Sequence, residues 1–140
     1  MVLELSIPAM PVQDISAAAA FYRSRLGFEI VHTDTHFAIA IRDRVELHLW
    51  SASDDSWKAR TRGGHPVRSG AESFIAGTAS CRIQADSRAA VDTLYTEFAA
   101  AGVLHPTDNG APVDTEWATR EFASLDLEGN LLTFFARIVR

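Results

Sequence analysis

A carboxylate, an imidazole and an indole alternate along one short stretch of this chain. Glu46, His48 and Trp50 stand at every second position of a strand-like run, and aliphatic residues fill the positions between them. Because successive side chains of a β-strand point to opposite faces, the polar set should share one face while the aliphatic set packs on the core. His48 is the best single candidate for a polar contact with a ligand. A hydrogen-bonded strand histidine without a function would give the same pattern.

Aromatic side chains supply further candidates. Trp117 and Phe122 flank Arg120 and Glu121 late in the chain, and Phe37 follows a polar turn. Indole and phenyl rings offer planar ligands a large and rigid contact area. Each of these rings could instead belong to the core, and Arg120 could do no more than pair with a neighbouring carboxylate.

Composition and missing motifs narrow the function classes. The sequence has no Gly-x-Ser-x-Gly elbow, no phosphate-binding glycine loop and no Cys-x-x-Cys pair. A net charge of −5 argues against nucleic acid as a partner, and no apolar run is long enough to span a membrane. The lone Cys81 excludes an intramolecular disulfide, and the start of the chain lacks a basic signal-peptide region. We therefore expect a cytoplasmic protein.

The candidate residues must be positioned by a unit that occurs twice. A strand, an alanine-rich amphipathic stretch and three strands occupy residues 4–50, and the same order returns in residues 78–138. A β-α-β-β-β unit repeated once predicts an α+β fold of two tandem modules. Within a single domain of 140 residues, we expect repeat one at about 1–51, a linker loop at about 52–73 and repeat two at about 74–140.

Local signals set the bounds of the elements. Oxygen side chains that can cap a helix N-terminus precede both amphipathic stretches, and a glycine follows each. The candidate caps are Asp14 or Ser16 for a helix over 17–26 and Asp86 or Ser87 for a helix over 88–101, with Gly27 and Gly102 after them. The predicted strands cover 4–12, 28–33, 36–42, 44–50, 78–84, 103–107, 116–125 and 130–138. The long 52–73 loop, which is polar, basic and glycine-rich, is either functional or disordered.

Three stretches carry a resemblance to a known family. They are Asp14-Ile15 through Phe21-Tyr22 to Arg25-Leu26-Gly27-Phe28, then Phe37-Ala38 with Arg42-Asp43-Arg44-Val45, and last Trp117 with Arg120-Glu121-Phe122-Ala123 and Asp126-x-x-Gly129-Asn130. With them the chain resembles the vicinal oxygen chelate superfamily, which includes glyoxalases and dioxygenases, and within it the bleomycin resistance proteins. The resemblance implies strands curled around a cleft, and a homodimer that exchanges its N-terminal strand and binds ligands between subunits.

The same resemblance bears on metal binding. Enzymes of the superfamily hold a divalent metal with His, Glu or Gln at equivalent strand positions of the two modules. By register these positions fall near Ile7, His48, Thr78 and Thr133, and of these only His48 has a ligand side chain. A catalytic metal needs about three protein ligands. The resemblance therefore implies no metal, no cofactor and no catalytic residue, and it favours a binding protein over an enzyme.

The function implied is sequestration of a bleomycin-type glycopeptide antibiotic, which would confer resistance. Aromatic walls can stack on the flat bithiazole of such a drug, and acidic groups can attract its cationic tail. The expected ligand-binding residues are Phe37, Glu46, His48, Trp50, Ser80, Arg82, Trp117 and Phe122. Two alternatives stay open: a metal-dependent glyoxalase-like lyase, isomerase or thiol transferase, and a paralogue whose ligand is anionic, as Arg82 and the basic loop suggest.

Overall fold

Eight strands and two helices follow one another in the described part of the chain. The computed structural model describes residues 1–52, 61, 63–64, 66–68 and 70–138. In order, the elements are β1 (Ala9–Val12), α1 (Ile15–Arg25), β2 (Glu29–Thr33), β3 (Phe37–Arg42), β4 (Val45–Ser51), β5 (Ser80–Gln84), α2 (Arg88–Ala101), β6 (Val113–Asp114), β7 (Thr119–Leu125) and β8 (Leu131–Arg137). None of the described helices is long and apolar enough to cross a membrane.

The two halves of the chain share one sheet topology. The first sheet has the order β1-β4-β3-β2 and the second has β5-β8-β7-β6. In each sheet the first strand lies parallel to the last strand of its module, and the hairpins are antiparallel. The parallel registers pair Ala9 with His48 and Arg82 with Thr133. The predicted α+β class and the pair of βαβββ modules are therefore confirmed.

The caps and ends of both helices lie close to the positions that the sequence predicts. Asp14, not Ser16, caps α1 and accepts a 3.0 Å hydrogen bond from the Ala17 N–H. Ser87, not Asp86, caps α2, whose observed bounds equal the predicted ones. Gly102 ends α2 in the left-handed region with φ of 73°, where a side chain would be strained. The first helix begins two residues earlier than predicted, because Asp14 takes the capping role.

One hydrophobic core joins both modules. Tyr22 of α1 and Leu49 of β4 are fully buried in it, together with Phe98 of α2 and Leu132 of β8. In β4 the burial alternates, so that its aliphatic residues face the helices and its polar residues stay partly exposed. Strands of both modules thus present one face to the core and leave the other open.

A buried polar network ties the modules together at the 126–130 turn. The Asp126 carboxylate accepts hydrogen bonds from the Tyr22 hydroxyl (2.8 Å) and from the Asn130 backbone (2.9 Å) and side-chain (2.8 Å) N–H groups. The Asn130 amide also donates to the Pro11 carbonyl (2.9 Å) and accepts from the Ala79 N–H (3.0 Å). Burial and the Asp126 charge raise the pKa of Tyr22 well above its usual range. Module one therefore meets module two through satisfied buried groups, the state such groups require.

Three strand predictions need correction. The first strand begins at Ala9 and not at residue 4, because its pairing with β4 starts at Ala9 and residues 1–7 are exposed. The predicted strand at 103–107 is only a bridge between Leu104 and Ser124. The sequence analysis also missed β6, a strand of two residues that pairs with β7.

Half of the predicted linker loop at 52–73 lies outside the described residues, including Lys58, Arg60 and Arg62. Its described end is packed against module one. Ala71 is fully buried, and Gly70 lies so close to the Trp50 indole that no side chain fits there. This contact fixes one side of the Trp50 ring.

Candidate ligand-binding site

The open face of β3 and β4 carries a strip of three rings, here named the aromatic surface and defined by Phe37, Glu46, His48 and Trp50. The Phe37 ring centroid lies 4.4 Å from that of Trp50 and 5.0 Å from that of His48, edge-on to the imidazole. Cross-strand pairing produces this strip, because Phe37 is the register partner of Trp50. The three rings thus form one cluster, in which the Trp50 indole is also contacted by Gly70.

Carboxylates border the aromatic surface. The Glu46 Oε2 atom lies 2.6 Å from His48 Nε2, and about a third of the Glu46 side chain is exposed. On the β2–β3 turn, His32 Nε2 lies 2.9 Å from Asp34 Oδ2, and the His32 ring leans on Phe37. The hydrogen bond with His32 holds the pKa of Asp34 below its ordinary value. The edges of the surface are therefore suited to a cationic group.

An open groove of about 920 Å³ lies between the start of α1 and the β2–β3 turn, and its lining includes Asp14, Asp34, His36 and Ser51. None of the four residues of the aromatic surface lines it. Trp50 and Ser51 are consecutive in β4, so their side chains point to opposite faces of the sheet.

The second module presents a different open face, here named the charged surface and defined by Arg82, Trp117, Glu121 and Phe135. Arg82 Nη2 lies 2.7 Å from Glu121 Oε2, and its guanidinium carbon lies 4.7 Å from the centre of the Phe135 ring. The long arginine side chain reaches across β8, the strand between β5 and β7. The guanidinium thus rests on one ring while it pairs with a carboxylate two strands away.

Glu121 is the shared partner on the charged surface. Besides Arg82, it accepts a 2.7 Å hydrogen bond from the buried Thr119 hydroxyl. Burial raises the pKa of Glu121, but the hydrogen bonds from Arg82 and Thr119 outweigh it and leave the pKa below its ordinary value. The Arg82 pKa is raised, first by its hydrogen bond to Glu121. The pair is therefore fully charged and internally neutral near pH 7.

Trp117 stands at the tip of the turn between β6 and β7. The Thr115 N–H donates to the Thr119 carbonyl at 2.8 Å, and Ala118 takes a positive φ of 62° to close the turn. The Trp117 side chain remains 64% exposed. A fixed turn that presents an exposed indole is a ready contact for a flat ligand.

The structure sorts the eight expected ligand-binding residues into two groups and one exception. Phe37, Glu46, His48 and Trp50 lie on the aromatic surface, while Ser80, Arg82 and Trp117 lie on or beside the open face of module two. Among the described residues, no hydrogen bond, ion pair or ring contact joins the two surfaces. Within a single chain, the two groups therefore lie on two separate faces.

Phe122 is the exception, and its assignment to a ligand-binding face is wrong. It is 6% exposed and packs in the core, stacked on Phe134 at 5.4 Å and edge-on to Phe98 at 5.9 Å. The reason is strand geometry, since Glu121 and Phe122 are consecutive in β7 and must point to opposite faces. The period of two that links Trp117, Thr119 and Glu121 is the signal that would have identified Glu121 instead.

Arg120 makes ion pairs on the surface, and the positions expected for metal ligands show no cluster of ligand side chains among the described residues. Arg120 pairs with Asp92 (2.7 Å) and Asp114 (2.9 Å), as its structural interpretation predicted. Thr133 faces Arg82 across the parallel ladder, and Ile7 is exposed. Within the described ranges, no three His, Cys, Asp or Glu side chains gather in an arrangement that could hold a metal.

Comparisons with known proteins place this geometry in context. Residues 7–40 match the family model described as bleomycin resistance protein-like N-terminal. A bleomycin resistance protein of Geobacillus stearothermophilus is 46% identical over 133 residues, which covers 95% of this chain and 96% of that protein. A crystal structure of a bleomycin-binding protein complexed with bleomycin is 25% identical, with a TM-score of 0.68 over 96% of this chain and 99% of that chain.

The fold also extends to an enzyme. Lactoylglutathione lyase from Agrobacterium tumefaciens is 22% identical, with a TM-score of 0.69 over 95% of this chain and 92% of that chain. At this identity only the fold is shared. The arrangement of strands alone therefore does not decide between a binding protein and an enzyme.

Proposed function

Because the chain belongs to the bleomycin resistance protein family, we propose that it binds a bleomycin-type glycopeptide antibiotic and holds it without changing it chemically. Sequestration of this kind requires affinity and no catalytic group. A drug held in the protein is kept away from DNA, so binding by itself gives resistance. The 46% identity along 95% of the chain supports this proposal over one based on fold alone.

The aromatic surface is the observation that carries the proposal. The Phe37 ring centroid lies 4.4 Å from that of Trp50 and 5.0 Å from that of His48, and all three residues are partly exposed. A flat heteroaromatic unit can stack there, and Glu46 and Asp34 can attract a cationic tail at the edges.

The charged surface offers less positive charge to an anionic ligand than the sequence suggests. Arg82, which was invoked for that alternative, already pairs with Glu121 at 2.7 Å, while Arg137 keeps one positive charge beside the Phe135 ring. The other basic residues invoked, Lys58, Arg60 and Arg62, lie outside the described residues. Trp117 adds an exposed indole for stacking. The acidic edges of the aromatic surface therefore carry the preference for a cationic, partly planar ligand.

We propose further that the protein acts as a cytoplasmic homodimer without nucleic acid as a partner. Val2, Leu3 and Leu5 are 72–88% exposed in a single chain, which supports pairing of the N-terminal segment with a second copy. A second copy could also bring its charged surface opposite the aromatic surface of the first. We treat the whole chain as one domain, because both modules contribute to one core.

A tryptophan-fluorescence titration of the metal-stripped protein with metal-free bleomycin tests binding. We expect saturable quenching at one ligand per chain with sub-micromolar affinity, which corresponds to more than about 8 kcal/mol. Leu127→Ala, which truncates an exposed side chain on the 126–130 turn, is the matched control and should bind like the unaltered protein. Absence of any response at high micromolar drug would end the proposal.

A further inference from the structure

We propose that Glu121 is a positioning residue that sets the ligand charge which the charged surface accepts. The inference rests on the proposed function, since it names the residue that lets an arginine-bearing surface receive a cationic ligand. Glu121 would act through Arg82, whose charge it neutralises. Arg82 lies 39 positions away on another strand, so the pairing depends on the sheet and not on neighbouring residues.

A buried hydroxyl group holds the Glu121 carboxylate in place. Thr119 is 3% exposed, and its hydroxyl donates to Glu121 Oε2 at 2.7 Å. The Glu121 side chain is itself only 15% exposed, whereas the side chain of Arg82 is 48% exposed. The fixed partner is therefore the acid, and the arginine is the group that follows it.

The ion pair between Arg82 and Glu121 lowers the positive charge around the Phe135 ring. Both Arg82 and Arg137 place their guanidinium carbons over the Phe135 ring, at 4.7 Å and 5.9 Å. With Glu121 ionised, one of these two charges is neutralised. Without it, both cations would stand uncompensated around one ring and would repel a cationic ligand while attracting an anionic one.

The Trp117 indole is near enough to Glu121 to contribute to the lowering of the Glu121 pKa. Glu121→Gln keeps an oxygen acceptor of nearly the same shape and removes only the charge. This substitution therefore separates the charge of the surface from its packing. Glu29→Gln makes the same chemical change on the exposed edge strand β2 of the other module and is the matched control.

Ionic quenchers of tryptophan fluorescence report the charge around Trp117 without any ligand. The Trp117 component is the difference between each variant and the same variant with Trp117→Phe. We expect the ratio of iodide to caesium quenching constants to rise at least about twofold in Glu121→Gln and to stay unchanged in Glu29→Gln. In Arg82→Gln/Glu121→Gln the ratio should return to the starting value. Equal ratios in Glu121→Gln and Glu29→Gln would overturn the inference.

Drug affinity supplies the second readout. Glu121→Gln should weaken binding of metal-free bleomycin about tenfold at low salt, with the loss shrinking as salt rises. The double variant should recover most of the affinity. A loss that persists in the Arg82→Gln background would mean that Glu121 does not act through Arg82, and would overturn the inference. If the quenching ratio shifts as expected but the unaltered protein binds no drug, the proposed function fails and the control of surface charge stands.

Discussion

The aromatic surface of module one and the charged surface of module two occupy equivalent faces of the same topology but achieve different chemistry. In module one the polar pair, Glu46 and His48, stands two residues apart on a single strand. In module two the pair, Arg82 and Glu121, spans three strands, because a long arginine bridges over Phe135. A repeated backbone thus fixes where side chains can stand. The side-chain lengths then decide which of them meet.

The two surfaces also differ in charge. The aromatic surface has acidic groups at its edges and rings at its centre, whereas the charged surface has an arginine that lies on a ring and is paired with Glu121. If the two proposals above hold, a ligand with a flat unit and a cationic tail suits the first surface directly, and suits the second only while Glu121 is ionised.

The largest effect is expected in the buried polar network at the 126–130 turn, which connects the two modules. Asn130→Ala removes a fully buried amide, leaves the Ala79 N–H without its partner, and takes one hydrogen bond each from the Asp126 carboxylate and from the Pro11 carbonyl, which keeps the Gly77 N–H. Unsatisfied buried groups of this kind cost about 1–3 kcal/mol each, so we expect a loss of about 3 kcal/mol in the free energy of unfolding. Urea unfolding followed by circular dichroism measures it. A loss of less than about 1 kcal/mol in the free energy of unfolding would show that this network does not hold the modules together.

The next effect separates the two surfaces directly. Phe37→Ala and Trp117→Ala should each weaken bleomycin binding by about 1–3 kcal/mol, because a stacked ring at the centre of a contact carries much of its energy. Isothermal titration calorimetry gives the affinities, and thermal unfolding verifies that each variant is folded. A loss confined to Phe37→Ala would remove the charged surface from the ligand contact.

A smaller effect concerns acid stability. Since the pKa of Glu121 is lowered in the folded protein, the ionised form stabilises the fold above its unfolded pKa of about 4.3. That contribution is lost as the pH falls through the lower folded pKa. Glu121→Gln should therefore flatten the fall in the free energy of unfolding between about pH 5 and pH 3 by roughly 1 kcal/mol or less. An identical pH profile for variant and unaltered protein would contradict the ion pair.

The smallest effect is expected at the residue next to Glu121. Arg120 pairs with Asp92 and Asp114 away from the charged surface. Arg120→Gln should change the free energy of unfolding by less than about 1 kcal/mol, as exposed ion pairs do, and leave drug affinity unchanged. Isothermal titration calorimetry of Arg120→Gln and of Glu121→Gln with bleomycin compares their drug affinities. A tenfold loss of affinity in Arg120→Gln would mean that the assignment of faces in β7 is inverted.

Much of the fold could be predicted because its signals are local. The bounds of α2, the cap at Ser87 and the alternation of β4 all follow from neighbouring residues. The chain also belongs to the family that its motifs resemble. The start of β1 and the two-residue strand β6 were missed because a strand exists only where another strand offers partners. Those partners lie elsewhere in the chain.

The candidate site was less predictable for the same reason. Phe37 meets Trp50 and His48 through a short hairpin, and the sequence signals for that hairpin are clear. Arg82 meets Glu121 across 39 positions, and only the register of β5 and β7 around β8 brings them together. The error at Phe122 came from treating consecutive residues as neighbours, where strand alternation separates them.

Protection of DNA is the measurement that tests sequestration most directly. Plasmid cleavage by iron-bleomycin would be followed against increasing protein, and the drug would then be released by denaturation and its mass determined. Sequestration predicts that protection is complete at one protein chain per drug molecule and that the drug is recovered intact and active. Protection at far below one chain per drug, with the recovered drug changed in mass, would contradict it and indicate an enzyme.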